Sequence, residues 1–149
     1  MKAIAIYADG ACRGNQSETN IGGWGCLLAY GEIQKEFFGG EKNTTNNRME
    51  LTSAIRAFQK LKQPCSVDFY SDSKYVVQGM SEWIIGWQKK NWVNAKREPI
   101  KNKDLWLELL ESTKPHKISW NWVKGHSNNE LNKRADELAN LGCDSVLGE

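Results

Sequence analysis

Four acidic side chains stand where their carboxylates could meet, and their chemistry favours a divalent metal site. Asp9 and Asp72 each follow a strand-like segment. Glu50 lies on the margin of the apolar stripe of a predicted helix, and Asp136 lies in the first half of the last predicted helix. Carboxylates at close range repel one another, and a bound cation removes that cost. An all-oxygen set without a Cys pair or paired His suits Mg²⁺ or Mn²⁺ rather than zinc.

Each acid also has an ordinary explanation when it is considered alone. An Asp at the end of a strand, such as Asp9 or Asp72, is often a turn former or a helix cap. Asp136 could be a solvated residue on a helix surface. Periodicity does not show whether the four carboxylates converge, so local patterning leaves both interpretations open.

The elements that must position these acids follow from hydrophobic periodicity and turn residues. Alternation predicts strands over residues 2–8, 24–30, 33–38, 66–71 and 117–123. Helical spacing predicts a helix that contains Glu50 and ends near Pro64, and further helices over 74–80, 82–87, 105–111 and 130–142. Ser73, Ser81 and Asp104 are predicted caps, and Gly142 is predicted to end the last helix.

This order of elements predicts an α/β fold with a five-stranded mixed sheet flanked by helices. The first three strands are joined by short turns and should be antiparallel, whereas the later strands are reached through helices and should be parallel. A chain of 149 residues, 40% hydrophobic and 26% charged, suits a single domain over residues 1–149.

Composition also indicates where the protein works. No apolar run approaches the length of a membrane span, and the first residues lack the apolar stretch of a signal peptide. We therefore expect a cytoplasmic protein without a membrane partner. We also expect a monomer. The four cysteines form no CxxC pair, so reduced thiols that fill the core are expected rather than a zinc site.

A basic segment between residues 87 and 103 stands out against the rest of the chain. It holds six basic residues and one acid, whereas the remaining residues hold 14 basic and 17 acidic side chains, a net charge of −3. Such a segment suggests a surface that binds a polyanion. On charge alone, a solvated loop explains it equally well.

Four motifs carry a resemblance to a known family. YADGACRGN, TTNNRMEL, YSDSKYV and WVKGHSNNELNKRADELA occur in that order, with the basic, Trp-containing segment between the third and the fourth. This arrangement resembles type 1 ribonuclease H over nearly the whole chain, from about Lys2 to Gly142. The resemblance implies the ribonuclease H-like fold and an endonuclease that hydrolyses the RNA strand of RNA–DNA hybrids.

The resemblance also implies catalytic roles. Two Mg²⁺ ions, with Mn²⁺ as an alternative, would be held by Asp9, Glu50, Asp72 and Asp136. Asp9 is similar to the residue that bridges both ions, and Asp136 to a ligand of the ion nearer the leaving group. His126 resembles a mobile histidine that assists proton transfer or product release. The implied products carry a 5′-phosphate and a 3′-hydroxyl.

Substrate contacts are implied on three surfaces. The RNA strand would lie along Cys12, Arg13, Gly14, Asn15 and Asn46. The DNA strand would cross Tyr75, Trp83 and Trp87, with one of its phosphates in a pocket formed by Asn43, Thr45 and Asn102. A basic protrusion around residues 87–103, which includes Trp92, would grip the hybrid mainly through phosphate contacts of Lys89, Lys90, Lys96 and Arg97.

Two departures and several alternatives accompany this resemblance. The loop NQSETNIGG replaces the family's common Asn-Pro-Gly, and Lys74 stands where many relatives have Gln. Trp24, Trp120 and Trp122 are assigned to the core.

Alternative functions are a reverse-transcriptase ribonuclease H domain, a Holliday-junction or transposase-like nuclease, or an inactive hybrid-binding module. The last predicts loss of at least one of the four acids, and all four are present.

Overall fold

Five strands and five helices make up the part of the chain that the computed structural model describes, residues 1–14, 20–125 and 129–147. The strands are β1 (Lys2–Arg13), β2 (Ile21–Tyr30), β3 (Ile33–Lys42), β4 (Cys65–Ser71) and β5 (Lys117–Trp122). The helices are α1 (Asn46–Gln59), α2 (Lys74–Gln78), α3 (Ile84–Lys89), α4 (Lys103–Thr113) and α5 (Glu130–Leu147). A π-helical turn, Gly79–Trp83, joins α2 to α3.

The strands form one mixed sheet in the order β3-β2-β1-β4-β5. β1 pairs with β2, and β2 with β3, in antiparallel fashion, whereas β4 is parallel to both β1 and β5. This topology confirms the fold predicted from the order of elements. Short connections give antiparallel neighbours, and helical connections give parallel ones.

The first strand is longer than predicted, and this changes the setting of Asp9. β1 continues to Arg13, and Asp9 pairs with Gly25 of β2 rather than ending the strand. The parallel pairing with β4 stops earlier, at Tyr7 opposite Tyr70. Asp9 therefore lies inside β1 at the point where one of its two neighbouring strands has ended.

Helices α1 and α5 cover opposite faces of the sheet. A Cβ atom on Gly22 would meet Thr44 and Met49 on the α1 side, whereas one on Gly23 would lie 2.1 Å from the carbonyl oxygen of Ala139 in α5. Adjacent strand residues point to opposite faces, so the two helices pack on different sides. The main core lies under α1 and α4; its largest fully buried side chains include Ile6, Leu51, Ile55, Phe58, Phe69 and Trp106.

Several predicted helix ends differ from the structure. Ser73 caps α2 as predicted, since its hydroxyl accepts a hydrogen bond from the N–H of Val76. Ser81 does not cap a new helix; it lies in the π-helical turn, and its hydroxyl donates to the carbonyl of Val77. The residue at the N-cap of α4 is Asn102, whereas Asp104 lies within the first turn.

The last helix also runs past its predicted end. α5 continues to Leu147, and Gly142 lies inside it. A Cβ atom there would stand 2.1 Å from the carbonyl oxygen of Gly39 in β3. Gly142 is therefore required by close packing against the sheet and does not terminate the helix.

Of the three tryptophans assigned to the core, two contact it. Trp24 and Trp120 are partly buried against the core, and Trp120 packs on Phe58 and Phe69. Trp122 is 44% exposed, so its assignment to the core is wrong. Its strand ends at this residue.

Three of the four thiols fill the interior as expected. Cys26, Cys65 and Cys143 are buried and free, and Cys12 is half-buried. Within the described ranges, no helix combines the length and the apolar character needed to cross a bilayer.

We predict opposite effects for two Gly→Ala substitutions in helices. Gly142→Ala should lower the free energy of unfolding by about 1–3 kcal/mol, because the added methyl group overlaps the backbone of β3. Gly86→Ala is the control, and Ala favours helix by roughly 0.5–1 kcal/mol over Gly. Beyond its chain neighbours and its own helix backbone, no atom of the described residues lies within 4 Å of the added Cβ. Urea unfolding measures both variants. A Gly142→Ala variant as stable as wild type would contradict the close approach of α5 to β3.

Candidate metal centre and nucleic-acid interface

Three carboxylates converge at one edge of the sheet. Asp9 comes from β1, Glu50 from the second turn of α1, and Asp72 directly follows β4. One carboxylate oxygen of each lies within 4.8 Å of the others. Gly10 permits this arrangement, because a Cβ atom there would lie only 2.5 Å from the backbone nitrogen of Glu50. The helix thus rests directly on the strand that carries Asp9.

Burial makes this cluster costly without a cation. Asp9 and Glu50 are only 4% and 5% exposed. Oδ1 of Asp9 accepts a hydrogen bond of 2.9 Å from the N–H of Gly10. Oε2 of Glu50 is buried and has no hydrogen-bond partner among the described residues. An unpaired buried carboxylate oxygen is strongly unfavourable, so the donor set fits a hard cation such as Mg²⁺.

The electrostatics of the cluster indicate the same strain. Burial, followed by the charge of Asp72, raises the pKa of Asp9 to about 8. Burial, followed by the charges of Asp9 and Asp72, raises the pKa of Glu50 well above its usual range. Both shifts favour the protonated carboxyl groups, and a bound cation would displace those protons.

The fourth predicted acid lies at the periphery of this cluster. Asp136 is an exposed residue of α5 and is not a member of the three-carboxylate group. A hydrogen bond with Asp136, and then its charge, nevertheless contribute to raising the pKa of Asp9, so the two carboxylates are neighbours. His126 and Asn15 fall outside the described residues, and their predicted roles stay predictions.

The described part of the predicted RNA-strand loop is tied to α5. The guanidinium of Arg13 pairs with Asp144 at 2.8 Å and donates to Oδ1 of Asn140 at 3.1 Å. The thiol of Cys12 lies 3.9 Å from the carbonyl of Thr44. Gly14 has a φ of 74°, which favours glycine. Arg13 thus fixes the end of β1 against the helix that carries Asp136.

The residues of the predicted phosphate pocket meet where two helices begin. Thr45 is the N-cap of α1, and its hydroxyl accepts from the N–H of Arg48 at 3.1 Å. Asn102 is the N-cap of α4 and has a left-handed φ of 62°. Arg48 joins them: its guanidinium donates to Oδ1 of Asn102 at 3.2 Å and pairs with Asp104 at 2.8 Å. This pairing lowers the pKa of the Asp104 carboxyl.

Two further predicted residues lie beside this pocket. Asn43 has a left-handed φ of 56°, and its N–H donates to the carbonyl of Asn20 at 2.9 Å. Asn46 is the exposed first residue of α1. Sequence reasoning missed Arg48, because one Arg in a helix carries no periodic signal and its partners lie 54 and 56 residues away.

The predicted DNA-strand side chains belong to a connected aromatic group. Ring centroids lie 6.1 Å apart for Tyr75 and Trp83, 5.9 Å for Trp83 and Trp87, and 5.8 Å for Trp87 and Trp92. Trp106 is fully buried and contacts Tyr75 and Trp87 from the core side. Its ring centroid lies 5.1 Å from that of Tyr75 and 5.0 Å from that of Trp87. Trp83 is exposed, and the side chains around it are half-buried.

The hydroxyl of Tyr75 connects this aromatic group to the phosphate pocket. It accepts hydrogen bonds of 3.1 Å from Nδ2 of Asn102 and from Nε1 of Trp106. Gly79 makes room for the Trp106 ring, since a Cβ atom there would lie 2.1 Å from it. Sequence reasoning missed Trp106, which the helix pattern alone does not distinguish from other apolar residues of α4.

The basic protrusion is an ordered loop after α3. Backbone hydrogen bonds join Asn94 to Glu98 and Ile100 to Trp92, and Val93 bridges to Pro99. None of its four predicted contact cations is within ion-pair distance of a carboxylate in the described ranges, and all four are exposed: Lys89, Lys90, Lys96 and Arg97. The loop thus presents uncompensated positive charge beside the aromatic group.

Comparison with other proteins identifies close relatives along the whole chain. A family described as RNase H matches residues 1–144. A protein of Novosphingobium aromaticivorans named Ribonuclease H is 55% identical over 139 residues, 93% of this chain and 95% of the relative. One of Hahella chejuensis with the same name is 54% identical over 149 residues, 100% of this chain and 99% of the relative.

Solved structures agree with the sequence relatives. LC9-RNase H1, a type 1 RNase H with the type 2 active-site motif, superposes with a TM-score of 0.88 at 34% identity, over 97% of this chain and 73% of that one. LC11-RNase H1 in complex with RNA/DNA hybrid gives 0.70 at 26% identity, over 97% and 99%. The chain therefore belongs to the RNase H family and is a nuclease of the hydrolase class.

Proposed function

We propose that this protein cleaves the RNA strand of RNA–DNA hybrids internally, leaving a 5′-phosphate and a 3′-hydroxyl. The observation that carries the proposal is the convergence of Asp9, Glu50 and Asp72. One buried oxygen of Glu50 has no hydrogen-bond partner in the described ranges. Membership of the RNase H family supports the substrate class, as does the hybrid bound to LC11-RNase H1. A hybrid-binding module without activity would not need this cluster.

The carboxylates are proposed to hold two Mg²⁺ ions, with Mn²⁺ as an alternative. Asp9 would contact both ions, Glu50 and Asp72 the one nearer the attacking water, and Asp136 the one nearer the leaving oxygen. Two such ions supply an activated water and stabilise charge on the phosphate and the departing oxygen. The exposed position of Asp136 fits a ligand that faces the incoming substrate. His126 is proposed to move a proton near the leaving group.

The chain's own surfaces are proposed to select the hybrid. The 2′-hydroxyl groups distinguish an RNA strand from DNA, and they would meet the end of β1 and Asn46. The sugars and bases of the DNA strand would stack on Tyr75, Trp83 and Trp87, since aromatic faces suit them irrespective of sequence. The two helix N-termini joined by Arg48 suit one of its phosphates. A monomeric state, a cytoplasmic location and a single domain over 1–149 stay predictions.

Substrate choice is the first test. With Mg²⁺, the protein should cut the RNA strand of a labelled hybrid and spare duplex DNA, because catalysis needs both 2′-hydroxyls and a deoxy partner strand. Single-stranded RNA, double-stranded RNA and a chelator arm are run in parallel, and product ends are typed by their response to phosphatase. Equal cutting of double-stranded RNA would contradict the proposed specificity.

Asp9→Asn should abolish cleavage and stabilise the metal-free fold at high pH. The pKa of Asp9 is about 8 in the folded protein and near 3.9 when unfolded, so the folded state binds the extra proton between these values. The unfolding free energy of wild type therefore falls as pH rises from about 4 to 8, by as much as roughly 6 kcal/mol from this group. Asp9→Asn has no carboxyl group that titrates at this position, so its unfolding free energy does not fall in this way. Its amide oxygen can still accept the hydrogen bond from the N–H of Gly10.

Urea unfolding in chelator at pH 5 and pH 8.5 measures this difference, with Asp68→Asn, an exposed Asp of β4, as the matched control. Mg²⁺ should then stabilise wild type by about 2.7 kcal/mol at a hundred times its dissociation constant, and the variant by less. An inactive variant that is strongly destabilised in chelator would instead indicate that Asp9 is a structural residue.

The basic protrusion should contribute through phosphate contacts. Neutralising Lys89, Lys90, Lys96 and Arg97 should flatten the log–log dependence of hybrid affinity on salt by roughly 3 to 4, at about 0.9 per contact on B-DNA. The control neutralises four exposed lysines elsewhere, Lys2, Lys35, Lys62 and Lys117. Binding titrations between 50 and 200 mM salt measure the slopes. Equal salt slopes for the two variants would indicate that the protrusion is a solvated loop that does not contact the phosphates.

A further inference from the structure

Lys74 lies next to the carboxylate cluster and is not used by the contacts described so far. It is the exposed first residue of α2, two positions after Asp72. The turn before it is well defined, because the N–H of Ser73 donates to the hydroxyl of Ser71 at 3.0 Å and Ser73 caps the helix. The position of the Lys74 backbone relative to Asp72 is therefore fixed.

The ammonium of Lys74 is held over an aromatic ring. Its Nζ lies 4.6 Å from the ring centroid of Trp122. Trp122 is in turn attached to the cluster, since its indole N–H donates to the backbone carbonyl of Asp72 at 3.0 Å. This contact explains why a tryptophan remains exposed at the end of β5. Its ring lies beside the segment that carries Asp72 and restrains the lysine above it.

Lys74 forms no ion pair within the part of the chain that the structure describes. No carboxylate in the described ranges lies within 4 Å of its ammonium, although three acids converge nearby. A lysine ammonium is a compact point charge with three donors, and a cation–π contact on one side leaves donors directed outward. The structure thus presents a restrained cation at the rim of an acidic site that must accept a polyanion.

We propose that Lys74 contacts a backbone phosphate of the RNA strand next to the scissile bond, and that Trp122 positions it there. The inference rests on the proposed function and adds a contact to its substrate site. A strand that approaches Asp9, Glu50 and Asp72 meets their negative charge, and a cation beside them offsets that repulsion for the neighbouring phosphate. The contact acts in binding, so its loss affects affinity for the hybrid rather than turnover.

The first experiment compares Lys74→Gln and Lys74→Arg with wild type. The control is Lys117→Gln, an exposed lysine at the other end of β5 from Trp122. Hybrid affinity is measured in chelator between 50 and 200 mM salt, and kcat is measured with Mg²⁺. Lys74→Gln should reduce the slope of log affinity against log salt concentration by about 0.7–0.9. Between 50 and 200 mM salt, the variant should therefore lose roughly threefold less affinity than wild type does. Lys74→Arg should keep the wild-type slope, and kcat should change less than about twofold.

The second experiment tests the role of Trp122 with a double-mutant cycle. Trp122→Leu should weaken hybrid binding when Lys74 is present and add little in the Lys74→Gln background, because both changes remove one restrained cation. Trp122→Phe keeps a ring under the ammonium and should bind nearly as wild type, even though it loses the hydrogen bond to Asp72. Additive losses in the cycle would overturn the positioning role.

The outcomes separate this inference from the proposed function. If wild type fails to cut the hybrid, the proposed function itself is wrong. If wild type cuts the hybrid but Lys74→Gln keeps the wild-type salt slope, or Lys117→Gln loses as much, the phosphate contact is refuted. A fall in kcat with an unchanged slope would also refute it, because the lysine would then act on the reaction and not on binding.

Discussion

The confinement of three carboxylates, two of them buried, is the constraint on which the rest of the structure depends. Asp9 and Glu50 are buried beside Asp72, and their mutual repulsion favours separation in the absence of a cation. The fold opposes that separation by seating α1 directly on the backbone at Gly10. It also ends β4 early, so that Asp72 leaves the sheet beside Asp9 rather than pairing with it. A strained, rigid site of this kind suits a cation that must bind in one place.

The surface beside the cluster is built from long-range polar contacts. Arg48 of α1 reaches Asn102 of α4, and Asn102 reaches Tyr75 of α2. Three helices from distant parts of the chain are therefore joined through side chains that also face the proposed DNA strand. Because Tyr75 accepts from buried Trp106 as well, the position of this surface is tied to the core. The proposed DNA-binding surface and the core consequently share residues here.

Much of the fold follows from local sequence. Alternation and turn residues predicted all five strands and their directions, since these signals lie within a few residues of each element. The predictions that were wrong concern element ends whose position depends on residues far away in the sequence. β1 continues past Asp9 because the glycine-rich part of β2 keeps pairing with it, and α5 passes Gly142 because that glycine meets β3. In the site, motifs indicated the acids, whereas the exposure of Trp122 depends on what covers β5.

The π-helical turn at Gly79–Trp83 has a consequence for the length of the chain. Tyr75 and Trp83 are eight residues apart, and in a regular α-helix eight residues rotate about 800°, roughly 80° beyond two full turns. The wider turn absorbs about one residue, which brings the rotation back toward two full turns and places both rings on one side. The aromatic side of this segment therefore has the geometry of a shorter, regular helix. A chain with one residue fewer between 79 and 83 would keep the rings of Tyr75 and Trp83 on the same side. The same deletion in a regular α-helix would rotate the second ring away from the first.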